Sequence, residues 1–333
     1  MHLPLRQLSV CSFRFCVVGN NGIHSFVAYK SLCLHRIKSM NGLFSNRDIA
    51  DYYNQTQQHY QLWWKLGKAL AVHYGIWYQN TRTFVEALQN TNVALLNLAG
   101  NVVNPRVLDA GCGVGGSSFY LARTCGAKVT GITLSEKQLA YANQQLARQR
   151  LAHLVDFKLE DYTQTSFPDH TFDLIWAIES VTSTRDKIKF GREVYRILKP
   201  GGILVLADYF KVPNLFDKNN WLEKWRFTWS LAPIITHDEF VSAIESERMK
   251  FSKMLDVTRE ITPTSRRMYY ASLAAAIPSL VYNMLHDTSH FGGNHYKSGI
   301  YQYKALRQGL WEYRLLRFVK PDEPEIQSQK KAG

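Results

Sequence analysis

No run of roughly eighteen uninterrupted apolar residues occurs in the 333-residue chain, so no segment reads as a membrane-spanning helix. Nor is there a block of like charge longer than two or three residues. The net charge of +13 is spread along the chain, unlike the basic arm of a nucleic-acid-binding protein. It reads as a basic solvated surface, with affinity for an anionic lipid surface or a diphosphate as the alternative, and no nucleic-acid partner is expected. The five cysteines (Cys11, Cys16, Cys33, Cys112 and Cys125) are odd in number and irregularly spaced. That excludes a disulfide framework and argues for free thiols in a reducing, cytoplasmic setting. No metal site is expected either, because His286, His290 and His295 straddle Gly292-Gly293 with no acidic neighbour but Asp287. Internal repeats and low-complexity tracts are absent. The first 39 residues lack Asp and Glu altogether while carrying five Arg or Lys, and they show no helical or strand period. Two readings compete: a basic, acid-free organelle transit peptide, or sequence upstream of a start at Met40. The second is favoured, because Met40 leads directly into patterned sequence.

What is present is a composition 46% hydrophobic, with 18 Tyr, 17 Phe and 8 Trp, enough for one large core or two modest ones. The most informative stretch is Val107-Leu-Asp-Ala-Gly-Cys-Gly-Val-Gly-Gly-Ser-Ser118. A short apolar strand ends near Asp109, and Gly111, Gly113 and Gly115 alternate before a helical pattern begins at Ser117. Glycine at such a turn lets the backbone reverse sharply and lets a ligand lie against the main chain. Nicotinamide enzymes use a similar turn, but with G-x-G-x-x-G spacing. Here the spacing is G-x-G-x-G directly after a carboxylate, which suits an ammonium group and repels a phosphate. Further strand–helix units follow: Lys128 to Gln138, Val155 to Tyr162, Phe167 to Ser180 and Glu193 to Asp208, the last with a Pro200-Gly-Gly stop before its strand. Strands alternating with helices at these lengths argue for a mostly parallel sheet covered on both faces.

Taken together over about residues 105–210, these motifs resemble the class I S-adenosylmethionine-dependent methyltransferases. Gly111-Cys-Gly-Val-Gly-Gly-Ser-Ser, Gly131-Ile-Thr-Leu-Ser and Ala177-Ile-Glu-Ser are similar to the small-molecule branch of sterol C-methyltransferases, tocopherol methyltransferases and some natural-product O-methyltransferases. The upstream aromatics Tyr52, Tyr53, Tyr60, Trp63, Trp64 and Tyr74 are spaced like that branch's N-terminal region. The resemblance implies an α/β, Rossmann-like fold: a seven-stranded, mostly parallel sheet with helices on both faces and helical substrate lids. It implies S-adenosyl-L-methionine as cofactor, with Gly111 and Gly113 against its amino-acid end and Asp109 on its ammonium. Many members place an acid at the end of the second strand for the ribose hydroxyls. This chain has Thr133-Leu134-Ser135 there, and the resemblance passes the ribose contact to Gln138. It sets Asp161, with Tyr162, at the adenine amino group, and Ala177 in the cofactor wall. Glu179, at the end of the fourth strand, is the implied catalytic residue, a proton acceptor for an alkene methylated on carbon; the competing reading is a salt bridge to Arg185 or Lys187. Tyr60, Trp63, Trp64 and Tyr74, with some of Trp221, Trp225 and Trp229, would line a cation-stabilising acceptor pocket. Aromatics at helical spacing are just as naturally core residues. The resemblance also implies a His shortly after the fourth-strand Glu in many O-methyltransferases of the branch; none follows Glu179 within Val181 to Asp186, which disfavours transfer to oxygen unless His59 or His73 acts from the lid. The expected acceptor is therefore a small lipophilic molecule, carbon of an isoprenoid, sterol-like or prenylated compound, with oxygen or nitrogen of a small aromatic or alkaloid-like natural product as the alternative and peripheral membrane contact as a corollary.

The resulting organisation is an extension over 1–39, a helical lid over 40–104, a cofactor-binding core over 105–261, a helical substrate cap over 262–312, and a final strand and polar tail over 313–333. Helices are predicted over Asn46 to Gly67, Thr81 to Leu98 (ended by Asn104-Pro105), Asn219 to Leu231 and from His237. A strand is predicted over Lys253 to Ile261, then helix over 263–310 interrupted at Pro278 and Gly292-Gly293, then a strand over Tyr313 to Val319.

Overall fold

A computed structural model describes residues 44–63, 66–285 and 290–322, with side chains described throughout except at 57–63, 68 and 290–292. The 1–39 extension, Met40, Trp64, His286, the residues beyond 322 and the side chains of His59, Tyr60, Trp63 and His290 lie outside that description. In chain order the elements are α1 (Asn46–Trp63), α2 (Leu66–Ala69), α3 (Phe84–Ala99), β1 (Arg106–Ala110), α4 (Gly116–Cys125), β2 (Lys128–Thr133), α5 (Glu136–Gln149), β3 (Val155–Leu159) and β4 (Phe172–Ile178). A 3-10 turn (Val181–Ser183), α6 (Lys187–Ile197), β5 (Leu198–Lys211), α7 (Trp221–Thr228), α8 (His237–Glu245), β6 (Lys250–Asp256), α9 (Thr258–Leu285), α10 (His290–Arg307) and β7 (Trp311–Val319) complete it.

The sheet has seven strands in the order β3-β2-β1-β4-β5-β7-β6. β1 to β5 pair parallel, while β7 runs antiparallel to both β5 and β6. The fold is the Rossmann-like α/β arrangement expected. Its strand order reverses between β1 and β4, and ligands in such sheets bind beyond the carboxyl ends of the strands at that point. Both faces of the sheet are covered, and β4 shows the consequence. Leu174 and Trp176 enter one core cluster and Ile175 and Ala177 the other, the period of two that a strand imposes. A fully buried Leu or Ile such as Leu174 or Ile175 contributes about 1.5–3 kcal/mol.

Local chemistry explains where the elements begin and end. Thr83 caps α3 by accepting from Glu86 N at 3.2 Å, and Gly100 at φ 92° ends it four residues before Asn104-Pro105. Thr236 and Glu239 form a reciprocal capping box at the start of α8. The predicted strand over Lys253 to Ile261 is instead β6 over Lys250–Asp256, and helix α9 takes over at Thr258, whose N–H and hydroxyl both bond Asp256 Oδ1. Pro278 does not interrupt α9. Its ring removes one helical hydrogen bond, but Ala274-Ala275-Ala276 before it are the strongest helix formers and the site is exposed. Gly292-Gly293 likewise falls inside α10, in its first turn. The Pro200-Gly-Gly segment sits within β5, where the pairing to β4 slips between Phe172 and Leu174.

Candidate active site

The carboxyl ends of β1, β2 and β4 open into a cleft of about 820 Å³ of atom-free space, part of it open to solvent. Its floor is the glycine turn after β1. Gly111 takes φ 87°, and a Cβ there would sit 2.4 Å from Ser180 Cβ, so backbone and space both require glycine. Gly113 takes φ 54°, but a Cβ there would meet nothing nearer than Gln138 Nε2 at 4.0 Å, leaving its main chain open to the cleft.

Asp109 lines this floor from β1. It is 2% exposed, and its Oδ2 accepts from Ser118 Oγ at 2.6 Å. Burial pushes its carboxyl up to about 6 against the pull of the Ser118 hydrogen bonds, and no cationic side chain contributes. A buried carboxylate without a cation is costly, so the site favours a ligand that brings an ammonium group. Beside it, Thr133, Leu134 and Gln138 line the cleft as expected. Thr133 Oγ1 donates to Gln138 Oε1 at 2.8 Å, and Gln138 N donates to Ser135 Oγ, the cap of α5. The side chain is thereby turned so that its Nε2 donors face the open space above Gly113. Where an acid would accept from ribose hydroxyls, this chain offers a donor to them. The donor set thus fits the cofactor: open backbone, a carboxylate short of a cation, and an amide aimed across the same floor.

Two predicted cofactor residues are placed elsewhere. Asp161 does not line the cleft. Its Oδ1 accepts from Thr163 N and Oγ1, both at 2.8 Å, and its Oδ2 from Asn46 Nδ2 at 2.6 Å, so it closes its own turn and ties it to α1. Glu160 lines the cleft in its stead, its carboxylate accepting from Ser166 N and Oγ. Ala177 faces the core with Ile175, and its neighbour Ile178 reaches the cleft. Tyr162 is a wall residue, its hydroxyl donating to Ser180 O at 2.7 Å and its ring meeting Phe190 edge-on.

Glu179 stands where β4 ends, at φ 48°, a left-handed conformation that turns its side chain into the cleft. Oε1 accepts from Tyr74 N at 2.5 Å and Tyr313 Oη at 2.8 Å. Desolvation raises its carboxyl well above the ordinary range; those two hydrogen bonds pull it back and nearby Asp208 pushes it further up. Neither expected salt-bridge partner is used. Lys187 Nζ donates to Val181 O and Thr184 O, and Arg185 is exposed. Asp208, pushed by burial to about 6, accepts from Thr182 N and Oγ1. Lys187 and Asp208 thus brace the turn that follows Glu179.

Glu179, Tyr53 and Val72 also border a second compartment of about 350 Å³, completed by Tyr52, Tyr209, Trp229 and Leu231. Four of its seven lining residues are aromatic, the others being Glu179 and two aliphatic side chains. Tyr53 lies between the two spaces, its phenol raised to about 12 by burial and then by the Glu179 and Asp208 carboxyls. Of the predicted acceptor-lining residues, Trp229 is here. Trp225 is fully buried core, and Trp221 stacks on Tyr301 at 5.8 Å. Tyr74 is also core: its hydroxyl donates to Gln302 Oε1 at 2.9 Å and its ring packs among Trp229, Trp311 and Tyr313. The site uses its backbone N–H instead.

His73 lines the first compartment. Its Nδ1 lies 2.9 Å from Tyr74 O, and since a carbonyl only accepts, the proton is on Nδ1 and Nε2 carries the lone pair. Burial pulls the imidazole down to about 4, so it is neutral, and Nε2 is buried with no partner among the described residues.

Sequence reasoning missed Glu160, Ser180, Tyr209 and Tyr313 as site residues. Tyr313 lies directly opposite Tyr209 in the β5–β7 ladder. Only that register, from strands a hundred residues apart, places Tyr313, whose hydroxyl bonds Glu179, beside Tyr209 of the second compartment.

The methyltransferase domain family matches residues 108–206. Methyltransferase GfsG of Streptomyces halstedii is 32% identical over 225 residues, covering 66% of this chain and 78% of that protein. The chloroplastic tocopherol O-methyltransferase of Arabidopsis thaliana is 35% identical over 166 residues, 47% of each chain, so this chain spans about half of that relative's length. Among solved structures, the geranyl diphosphate C-methyltransferase from Streptomyces coelicolor, in complex with Mg2+, geranyl diphosphate and S-adenosyl-L-homocysteine, superposes with a TM-score of 0.66 at 20% identity, covering 83% of this chain and 97% of that one. At that identity the likeness is one of fold.

Proposed function

The chain belongs to the class I S-adenosylmethionine-dependent methyltransferases of small molecules, and we propose that its acceptor atom is carbon, in a lipophilic isoprenoid, sterol-like or prenylated compound. The observation that carries this reading is the aromatic compartment with one carboxyl at its mouth, Glu179 among Tyr52, Tyr53, Tyr209 and Trp229. Bound S-adenosylmethionine supplies an electrophilic methyl group on a cationic sulfur. Asp109 would hold its ammonium, the Gly111–Gly113 main chain its amino-acid end, and Gln138 Nε2 its ribose. The lid role of residues 40–104 belongs to the same proposal, since Tyr53, Val72 and His73 close the cleft from that region.

The chemistry then follows from charge. When an alkene carbon takes the methyl group, a carbon–carbon bond forms as the carbon–sulfur bond breaks, and the neighbouring carbon is left positive. Ring faces stabilise such a cation by about 0.5–2 kcal/mol each. A proton then leaves the adjacent carbon for the Glu179 carboxylate and the double bond is restored. Tyr74 N and Tyr313 Oη hold Oε1 in place, so Oε2 is the oxygen that meets the substrate. Desolvation makes that carboxylate a stronger base than an exposed one, as the step requires.

A second reading, transfer to oxygen or nitrogen, is favoured by one observation: the neutral His73 in the cleft wall, whose buried Nε2 has no partner among the described residues. The Arabidopsis relative is named as an O-methyltransferase. For location, the buried free thiol of Cys112 suits a reducing cytoplasm, and no helix among the described residues is long and apolar enough to cross a membrane. The deciding experiment is methyl transfer from isotope-labelled S-adenosylmethionine to a panel of prenyl diphosphates, sterols, prenylquinols and phenols, with the label located by fragmentation. Label on carbon supports the proposal; label on a heteroatom overturns it and makes His73 the base.

A further inference from the structure

Helix α9 is built inside out. The side chains it buries are Ile261, Thr264, Ser265 and Ser272, mostly hydroxyls. Thr264 Oγ1 accepts from Gly75 N at 3.2 Å and Trp77 Nε1 at 2.9 Å, and Ser265 Oγ donates to Gln302 Oε1 at 2.5 Å. Large apolar residues point to solvent instead: besides Leu280, Tyr282 and Leu285, the five residues Tyr270, Leu273, Ile277, Val281 and Met284 are 62%, 45%, 73%, 50% and 85% exposed. Spacings of three and four residues put all five on one stripe. Soluble surfaces rarely carry a continuous apolar ridge of this kind unless something covers it.

What covers it is indicated by its surroundings. An open groove lined by Trp221, Tyr269, Tyr303, Lys304 and Arg307 adjoins the start of the stripe. Tyr269 meets Tyr270 edge-on at 5.4 Å and Tyr303 at 4.9 Å, so groove and stripe are continuous. Lys304 Nζ lies 4.5 Å over the Trp221 ring. Across residues 258–307 there are six Lys or Arg against two Asp or Glu, in a chain of net charge +13. Tyrosine, tryptophan and basic residues edging an apolar helix face are what a membrane–water interface selects. The stripe itself carries no charge, and its edge carries Arg266 with Lys304 and Arg307 of the groove; an anionic bilayer complements that basic edge, which a second copy would meet with like charge.

We propose that the exposed face of α9 docks on an anionic lipid bilayer, lying in the interface with the Trp221–Tyr303 groove among the headgroups. The other end of α9 braces the Gly75–Trp77 segment next to the cleft wall at His73, so docking would bring the cleft alongside the lipid phase. The inference goes beyond the acceptor's identity and is tested without any acceptor.

The test is co-sedimentation of the full chain with vesicles of phosphatidylcholine alone and of phosphatidylcholine mixed with phosphatidylglycerol. Binding is expected to the anionic vesicles and to weaken as salt is raised. The double variant Ile277→Glu/Val281→Glu should lower bound protein about tenfold or more, while its thermal melt and S-adenosylhomocysteine affinity stay at wild-type values. Arg266→Glu, on the same exposed face, should give a smaller drop that vanishes at high salt. No binding to anionic vesicles, binding untouched by the double variant, or a wild-type dimer that this variant splits into monomers would each overturn the proposal, the last by assigning the face to a second copy.

Discussion

On one side of Glu179 the cleft is walled by main chain and small polar groups: Gly111, Gly113, Asp109, Thr133 and Gln138. On the other side it is walled by rings, those of Tyr52, Tyr53, Tyr209 and Trp229. The first half comes from the ends of neighbouring strands β1 and β2 and the turns that follow them, so its parts lie within about thirty residues of one another. The second gathers α1, the segment after α2, the end of β5 and the residues after α7. A cofactor common to a family can be held by a compact, repeatable device, whereas the ring-lined half is assembled from segments far apart in the chain. Glu179 lies at the seam, held by Tyr74 from the segment after α2 and Tyr313 from β7.

The contrast is sharpened most by Glu179→Gln. The amide keeps the shape and an oxygen for Tyr74 N and Tyr313 Oη but accepts no proton, so kcat should fall by about 10²–10⁴. Wild-type methyl transfer should rise with pH through a value above the usual carboxylate range, because the base must be ionised and burial holds its proton; a pH–rate profile that is flat across that range would remove Glu179 as the base.

Asp109→Asn addresses the other half. Affinity for S-adenosylhomocysteine, measured by calorimetry, should fall about tenfold to a hundredfold, as for loss of a charged hydrogen bond. The same substitution has an opposite effect on the ligand-free fold. The folded carboxyl, raised from 3.8 to about 6, binds its proton more tightly than the unfolded one. Stability from this group is therefore full at low pH and is lost as pH rises through about 6, by up to about 3 kcal/mol. Denaturation of the ligand-free variant should lack that pH dependence, and an unchanged one would mean that Asp109 is not desolvated.

Trp229→Leu should lower kcat/KM for the acceptor by about 2- to 30-fold, the worth of one ring face, with no change in S-adenosylhomocysteine affinity. A loss of cofactor affinity instead would break the division of the cleft. Smallest is Tyr74→Phe, which deletes the hydroxyl bonded to Gln302 but keeps the N–H bonded to Glu179. It should reduce unfolding free energy by about 1 kcal/mol and leave kcat unaltered.

That division also explains what the sequence makes legible. The sheet, the glycine turn, Asp109, Thr133 and Gln138 are written in contiguous motifs, each with its own chemical reason. Glu179 is legible as a strand-end acid, but its partners are not, because Tyr313 reaches it only through the β5–β7 register. Asp161 reads as an adenine cap from its place after β3, yet Thr163 and Asn46 supply nearer donors, which local pattern does not reveal. Ala177 differs from Ile178 by one residue, which in a strand is the opposite face. Tyr74 reads as an acceptor-pocket ring and is core, the outcome that helix-and-turn aromatics share with any packed interior.

The most direct test of the divided cleft is calorimetric titration of S-adenosylhomocysteine into Glu179→Gln protein, paired with single-turnover methyl transfer in the same preparation. The account predicts wild-type affinity in a protein whose transfer is slowed by about 10²–10⁴. Loss of both together, or retention of both, would contradict it.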